Sequence, residues 1–155
     1  MKVLVFRDHM ASMKIPPDNI KQAVPFLWVS DLNNSLLFYT NGLGFRITNQ
    51  WAPEGNIEWC FLESGGAALM LQQIRKDRLE HWLELGKPGH GISIFFVCND
   101  ALAVYLDVIA KGITVERPFV GNGMWVVSMI DPDGYRIEFE SKTTEKEGTQ
   151  YVDYI

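Results

Sequence analysis

The fold is decided by residues 24–32, which read Val24-Pro25-Phe26-Leu27-Trp28-Val29-Ser30-Asp31-Leu32. β-Branched and aromatic side chains dominate up to Val29, and such a composition is typical of a β-strand. Ser30 and Asp31 follow, and their short oxygen-bearing side chains favour the start of a helix because they accept hydrogen bonds from its free amide groups. The stretch therefore predicts a strand that leads directly into a helix.

The residues after this stretch complete a unit of one helix and four strands. Apolar residues recur at helical spacing as far as Leu43, and the glycines on either side of it indicate the end of the helix. Three more strands are predicted over 45–51, 57–62 and 67–72, with turn-forming sequences between them. The first half is therefore predicted to be a βαβββ module.

The second half repeats this order of elements. It predicts a strand over 92–97, a helix that begins after the Asn99-Asp100 cap, and strands over 113–115, 124–130 and 135–140. Asp131-Pro132-Asp133-Gly134 supplies the last hairpin turn. The two helical signals start about 69 residues apart, which indicates an internal repeat of structure. The predicted fold class is therefore α+β, with two βαβββ modules.

These elements divide the chain into five segments. Residues 1–22 form an N-terminal extension, in which 1–12 resemble a cloning scar ahead of a second start at Met13 and are left out of the fold prediction. Residues 23–73 are the first module, 74–90 a linker with a short amphipathic helix, and 91–141 the second module. Residues 142–155 are a polar tail whose end either packs as an extra strand or frays.

Composition and charge exclude several classes of protein. The formal net charge is −5, which argues against nucleic acid as a partner because phosphates need a basic face. It suits a cationic ligand, although a charge that serves only solubility is the simpler interpretation. There is no apolar run of about 18 residues to cross a membrane, and no secretory leader. With two cysteines and no C-x-x-C spacing, a reducing cytoplasm is the predicted location.

Three segments resemble the vicinal oxygen chelate superfamily, which includes glyoxalase I, bleomycin-resistance proteins and extradiol dioxygenases. They are 24–32 with the Phe38-Tyr39 and Leu43-Gly44-Phe45 motifs that follow, 95–113, and 129–138 with its DPDG turn. The resemblance implies a curved mixed sheet with a small-molecule trough shared by the modules. It also implies a homodimer, in which modules are often exchanged between chains.

The resemblance also implies where metal ligands would lie. The family's four ligand positions fall on Val24, Met70, Ser93 and Glu138 of this chain. A catalytic zinc usually has three protein ligands, and Glu138 alone can hold a hard divalent ion here. The sequence therefore predicts no metal and no other cofactor. His90 becomes a ligand only if the alignment slips, and it is interpreted as a loop residue, whereas His81 is predicted to face solvent and His9 lies in the suspected scar.

Strand alternation predicts which side chains share the trough with these positions. An aromatic and methionine-lined wall stands near a carboxylate and a guanidinium, and the predicted ligand-binding residues are Phe26, Trp28, Met70, Gln72, Ser93, Phe95, Arg136 and Glu138. Aromatic rings bind flat or cationic ligands. The alternative is that these residues are core at a dimer or module seam. Trp59 and Trp125 are further candidates whose facing is left open.

Glu138 has three possible roles: ligand anchor, ion-pair partner of Arg136, or catalytic general base. The predicted function is a metal-free small-molecule-binding protein, similar to the bleomycin-resistance proteins that confer antibiotic resistance by sequestering a compound between subunits. The alternative is an enzyme, a metal-dependent lyase or dioxygenase of the glyoxalase I type. A regulatory or interaction domain without a ligand is the third possibility.

Overall fold

The computed structural model describes residues 19–152, so the suspected scar and His9 lie outside the described residues. It contains two four-stranded sheets. The first consists of β1 (Phe26–Val29), β2 (Arg46–Trp51), β3 (Trp59–Ser64) and β4 (Ala67–Gln73). The second consists of β5 (Ser93–Val97), β6 (Phe119–Gly121), β7 (Met124–Ile130) and β8 (Arg136–Lys142).

Both sheets have the same topology. The strand orders are β1-β4-β3-β2 and β5-β8-β7-β6, and the first pair of each sheet is parallel while the other pairs are antiparallel. Phe26 lies opposite Met70 in the first sheet, and Phe95 lies opposite Glu138 in the second. The repeated register confirms the predicted α+β class with two βαβββ modules.

The helices begin where the sequence predicts their caps. Asp31 caps α1 (Leu32–Leu36), which continues as a π-helical segment over Leu37–Gly42, and Asp100 caps α3 (Ala101–Ala110). The linker contains α2 (Lys76–Glu84), and a short 3-10 turn occupies Pro53–Gly55. Among residues 19–152, no helix has the length and apolar character that crossing a membrane requires.

The predicted strand over 113–115 is wrong. Val115 makes an isolated bridge with Met129, and the fourth strand of the second sheet is β6, which begins after Pro118. Pro118 has no amide hydrogen and therefore interrupts any ladder that would continue from Val115. β6 instead pairs with β7 through the Asn122-Gly123 turn, in which both residues have positive φ, as a tight hairpin requires.

One hydrophobic core joins the modules. Each sheet buries its helix-facing side in this core, and aromatic rings cross the seam: Phe45 lies 5.4 Å from Phe96, which lies 5.3 Å from Phe139. The C-terminal tail packs on the second module: Gln150 forms a β-bridge with Phe119 of β6, and the Tyr151 ring contacts Trp125. The tail thus returns to its own module up to Val152, and residues 153–155 are not described.

The DPDG turn, predicted only as a hairpin, also fastens the second module to the first. Asp133 accepts hydrogen bonds from the Ser30 amide at 2.7 Å and from the Ser35 hydroxyl at 3.1 Å. The Tyr39 hydroxyl donates to Asp131 at 2.9 Å, and burial raises the pKa of Tyr39 well above its usual value, which keeps it a donor. These buried bonds hold the two sheets in fixed relation.

Candidate functional site

The first sheet has an exposed side, which we call the first open face and define by Phe26, Trp28, Met70 and Gln72. Burial alternates along β1 as predicted: Leu27 lies in the core, whereas the exposed fractions of Phe26 and Trp28 are 42% and 37%. Met70 and Gln72 lie beside these two rings on the neighbouring strand. The structure therefore brings this half of the predicted set together.

Trp28 is the centre of an aromatic row on this face. Phe26 meets it edge-on with ring centroids 5.6 Å apart, and Trp82 of α2 lies 5.6 Å away with the ring planes inclined at 32°. Trp82 was not among the predicted site residues, because a helical pattern shows the spacing of Trp82 within α2 but not the distant strand that it reaches. The row is therefore longer than the sequence indicates.

The remaining predicted wall residues divide between the two sides of the sheets. Trp59 lies opposite Gln72 in the ladder and so shares the first open face. Trp125 does not line an open face, since it has the same parity as the buried Val127 and packs on Tyr151. Gln72 uses its amide to donate to the Glu58 carbonyl at 3.0 Å.

The second sheet has a corresponding second open face, which we define by Ser93, Phe95, Arg136 and Glu138. Ser93 and Phe95 are exposed on β5, whereas Ile94 between them is buried in the core. Arg136 lies opposite Ser93 and Glu138 lies opposite Phe95. These four residues therefore also share a face, as the alternation predicts.

Glu138 is a nearly buried carboxylate with defined partners. It is 8% exposed, its Oε1 accepts a hydrogen bond from the Ser128 hydroxyl at 2.7 Å, and Arg136 Nη1 lies 3.8 Å from it. Arg136 is held by Glu116 through two hydrogen bonds of 3.2 and 2.9 Å. Ser128 could have been found from the sequence, because the hairpin around the DPDG turn pairs it with Glu138. The paired hydrogen bonds between Arg136 and Glu116 could not have been found from the sequence in this way.

The four family ligand positions do not fit a metal centre. Val24 precedes β1 and offers a hydrocarbon, Met70 offers a thioether, and Ser93 offers a neutral hydroxyl. Zinc is held by carboxylate, imidazole or thiolate groups, and hard ions such as magnesium are held mainly by carboxylates and carbonyl oxygens. Of the four positions, only Glu138 offers such a group. Within residues 19–152, no three His, Cys, Asp or Glu side chains are grouped so that they could hold an ion.

The two open faces have separate hydrogen-bond and ring partners. In the part of the chain that the structure describes, no hydrogen bond, ion pair or ring contact joins a side chain of one face to a side chain of the other. The physical reason is that the sheets meet through their helix-facing sides, which form the shared core. A trough shared by both modules of one chain therefore stays a prediction.

A cavity of about 650 Å³ lies at the seam between the modules. Its walls include Phe45, Phe96 and Phe139 together with the half-buried Cys98, and Phe95 alone of the predicted ligand-binding residues lines it. Burial raises the pKa of the Cys98 thiol, which disfavours the thiolate. The cavity thus adjoins the second open face at Phe95 and shares none of the residues that define the first open face.

The amino-acid sequence is similar to those of a known family and of two lyases. A family model described as the Glyoxalase/Bleomycin resistance protein/Dioxygenase superfamily matches residues 19–139. A lactoylglutathione lyase from Haemophilus influenzae is 33% identical over 129 residues, which cover 77% of this chain and 91% of that protein. A lactoylglutathione lyase from Schizosaccharomyces pombe is 28% identical over 76% of this chain, and the chain spans about half (46%) of its length.

Solved structures share the fold at lower identity. A bleomycin resistance determinant encoded on the transposon Tn5 superposes with a TM-score of 0.62 at 22% identity, covering 79% of this chain and 98% of the other. A bleomycin-binding protein complexed with bleomycin has a TM-score of 0.62 at 21% identity, covering 79% and 99%. These similarities concern the arrangement of helices and strands.

Proposed function

Because the chain belongs to the glyoxalase/bleomycin resistance protein/dioxygenase superfamily, we propose that it is a binding protein that sequesters an aromatic or cationic small molecule. The observation that carries the proposal is the exposed aromatic row on the first open face. The proposed ligand contacts are Phe26, Trp28, Met70, Gln72, Ser93, Phe95, Arg136 and Glu138. Antibiotic resistance by sequestration is one use of such a site.

The side chains supply the two kinds of contact that such a ligand needs. Binding of a flat molecule over an exposed ring such as Trp28 is favourable because it removes apolar surface from water. The π-face of such a ring also attracts cations. Glu138 is positioned by Ser128 and lies beside Phe95, so it offers a fixed acceptor to a cationic group. The net charge of −5 favours the approach of a cation.

The ligand would bind between two copies of the chain. Within residues 19–152 no side-chain contact links the two open faces. A homodimer that opposes the first open face of one copy to the second open face of its partner would enclose the ligand. This arrangement joins the two halves of the proposed site. Both cysteines are free thiols, in keeping with a proposed location in the reducing cytoplasm.

Bleomycin binding tests the proposal. We expect bleomycin or a polyaromatic cation to bind the purified protein in calorimetric titrations, and Trp28→Ala to weaken binding at least about fivefold, since a buried stacking contact is worth about 1 kcal/mol or more. Leu37→Ala is the control, because it removes an exposed apolar side chain (58% exposed) from the helical segment after α1 and not from an open face. Equal affinity of Trp28→Ala and the wild type would contradict the proposed site.

A second candidate is a metal-dependent lyase or dioxygenase of the glyoxalase I type. The identity of 33% to a lactoylglutathione lyase favours it. The donor set at Val24, Met70 and Ser93 does not, so this candidate needs a displaced metal site or Glu138 as a general base. Metal analysis of the purified protein separates the two: stoichiometric nickel, zinc, manganese or iron would contradict the binding-protein proposal.

A further inference from the structure

The linker helix α2 is a surface segment between two fixed points. None of its nine residues is buried, and the exposed fraction of Leu83 is 51%. Before α2, Ile74 is almost fully buried and its amide donates to the Val29 carbonyl at 2.8 Å. After α2, Gly89 is buried against the DPDG turn. The helix therefore lies on the surface between two segments that are anchored in the modules.

α2 reaches the first open face through an indole ring. The Trp82 and Trp28 centroids are 5.6 Å apart and the ring planes are inclined at 32°, whereas Phe26 meets Trp28 at 70°. Trp82 thus lies closer to parallel with Trp28 than Phe26 does. The two indole rings are inclined to each other like the sides of a wedge. Trp28 lies on strand β1 and Trp82 lies on α2.

We infer that α2 is a lid over the first open face and that Trp82 clamps a flat aromatic cation against Trp28. The inference rests on the proposed function, because it assigns a moving part and a ligand class to the same site. Two indole faces attract a flat cation from both sides. A ligand between them replaces one ring contact with two.

The geometry of α2 allows the opening that this clamp needs. A flat ligand between two rings requires about 7 Å, since carbon atoms are in best contact at about 3.5 Å. Gly86 follows the end of the helix and has φ +106°, a conformation that glycine adopts more easily than other residues. The backbone at this point can therefore rotate more freely than at a residue with a side chain. No side chain caps the helix at Arg75. Opening uncovers chiefly the partly buried Leu79 and Trp82, because Leu83 is already exposed and no residue of α2 is fully buried.

Proflavine, a flat aromatic cation, is the probe, and tetraethylammonium is the cation without a ring. We expect Trp82→Ala to weaken proflavine binding about three- to tenfold in equilibrium dialysis, and Trp82→Phe to recover most of the loss. Leu83→Ala on the same helix is the matched control and leaves binding unchanged. Trp82→Ala is expected to weaken tetraethylammonium binding less than proflavine binding, because tetraethylammonium has the cation–π contact but no ring to stack.

Hydrogen exchange tests the motion itself. Proflavine should slow amide exchange in α2 of the wild type and have a smaller effect in Trp82→Ala. If Trp28→Ala weakens proflavine binding while Trp82→Ala does not, or if α2 exchanges at the same rate with proflavine bound, the lid is overturned and the proposed function stands. If the wild type binds neither bleomycin nor proflavine, both the proposed function and the lid are contradicted.

Discussion

Asp131 is a buried carboxylate whose protonation is coupled to folding. Burial raises its pKa from 3.8 to about 6, although the hydrogen bonds from the Tyr39 hydroxyl and from the amides of Tyr135 and Asp133 act in the opposite direction. Between pH 3.8 and about 6, the folded state therefore holds more protons than the unfolded chain. The contribution of this group to the free energy of unfolding then falls as the pH rises through that window.

We expect Asp131→Asn to remove this pH dependence. The asparagine oxygen can accept from the Tyr135 and Asp133 amides, and its amino group can donate to the Tyr39 hydroxyl oxygen. Relative to the wild type, the variant should gain up to about 2–3 kcal/mol of unfolding free energy between pH 4 and pH 7. Urea unfolding at several pH values measures the difference.

The exposed Asp107 provides the control for this measurement. Asp107→Asn changes a carboxylate with a 58% exposed side chain that pairs with Lys111 on the surface. Its unfolding free energy should stay parallel to that of the wild type through the same window. If Asp131→Asn also stays parallel to the wild type, its carboxylate has no raised pKa in the folded protein.

At the scale of elements, the connection between α2 and β5 contains a glycine that no other residue can replace. A Cβ on Gly89 would lie 2.1 Å from the Tyr135 nitrogen and 2.3 Å from the Gly134 carbonyl carbon. These are backbone atoms, so they cannot rotate away. We expect Gly89→Ala to lower the free energy of unfolding by about 3 kcal/mol or more, measured by urea denaturation.

Gly66→Ala is the matched substitution. Gly66 lies in the turn between β3 and β4, and nothing lies within 4 Å of an added Cβ. Its cost should stay within about 1 kcal/mol. Similar midpoints for both alanine variants would mean that the linker does not press on the DPDG turn.

Local patterns explain why most elements could be predicted and one could not. β7 was predicted over 124–130 and is observed over Met124–Ile130, because alternation and turn residues act within a few positions. The error at 113–115 arose because β-branched residues suggested a strand there, whereas Pro118 and the Asn122-Gly123 turn determine the pairing. Both signals were in the sequence, and the hairpin turn was the stronger one.

The candidate site shows the same division. The shared faces of Phe26 with Trp28, and of Ser93 with Phe95, follow from a period of two and could be predicted. Trp82 could not, because its contact with Trp28 depends on the path of the linker through space. The placement of the two faces relative to each other could not be predicted either, since it depends on how the modules pack.

At the scale of the whole molecule, the open faces leave much apolar surface uncovered. Phe26, Trp28, Phe95, Phe119 and Ile130 have exposed fractions from 37% to 53%. Exposed apolar residues that are grouped on a sheet mark an interaction surface more often than scattered ones do. This surface is the part of the protein that the proposed homodimer would cover.

We expect Phe95→Glu to weaken self-association, because it places a charge in the surface that the partner would cover. Leu106→Glu on α3 is matched in exposure, at 52% against 53% for Phe95, and should not change the mass. Sedimentation velocity over a range of concentrations measures both variants against the wild type. A monomeric wild type, or a Phe95→Glu dimer as tight as the wild type, would contradict the proposed assembly.

The hydrogen bonds of the DPDG turn have a consequence for how quickly the native state is reached. Asp131, Asp133 and Tyr135 bond to groups 92 to 107 positions earlier in the chain. Closing loops of that length is slow, because chain entropy is lost before any contact compensates for it. During synthesis, Ser30, Ser35 and Tyr39 leave the ribosome long before their acceptors do. A nascent first module therefore has to wait for the last hairpin before its helix is fully bonded.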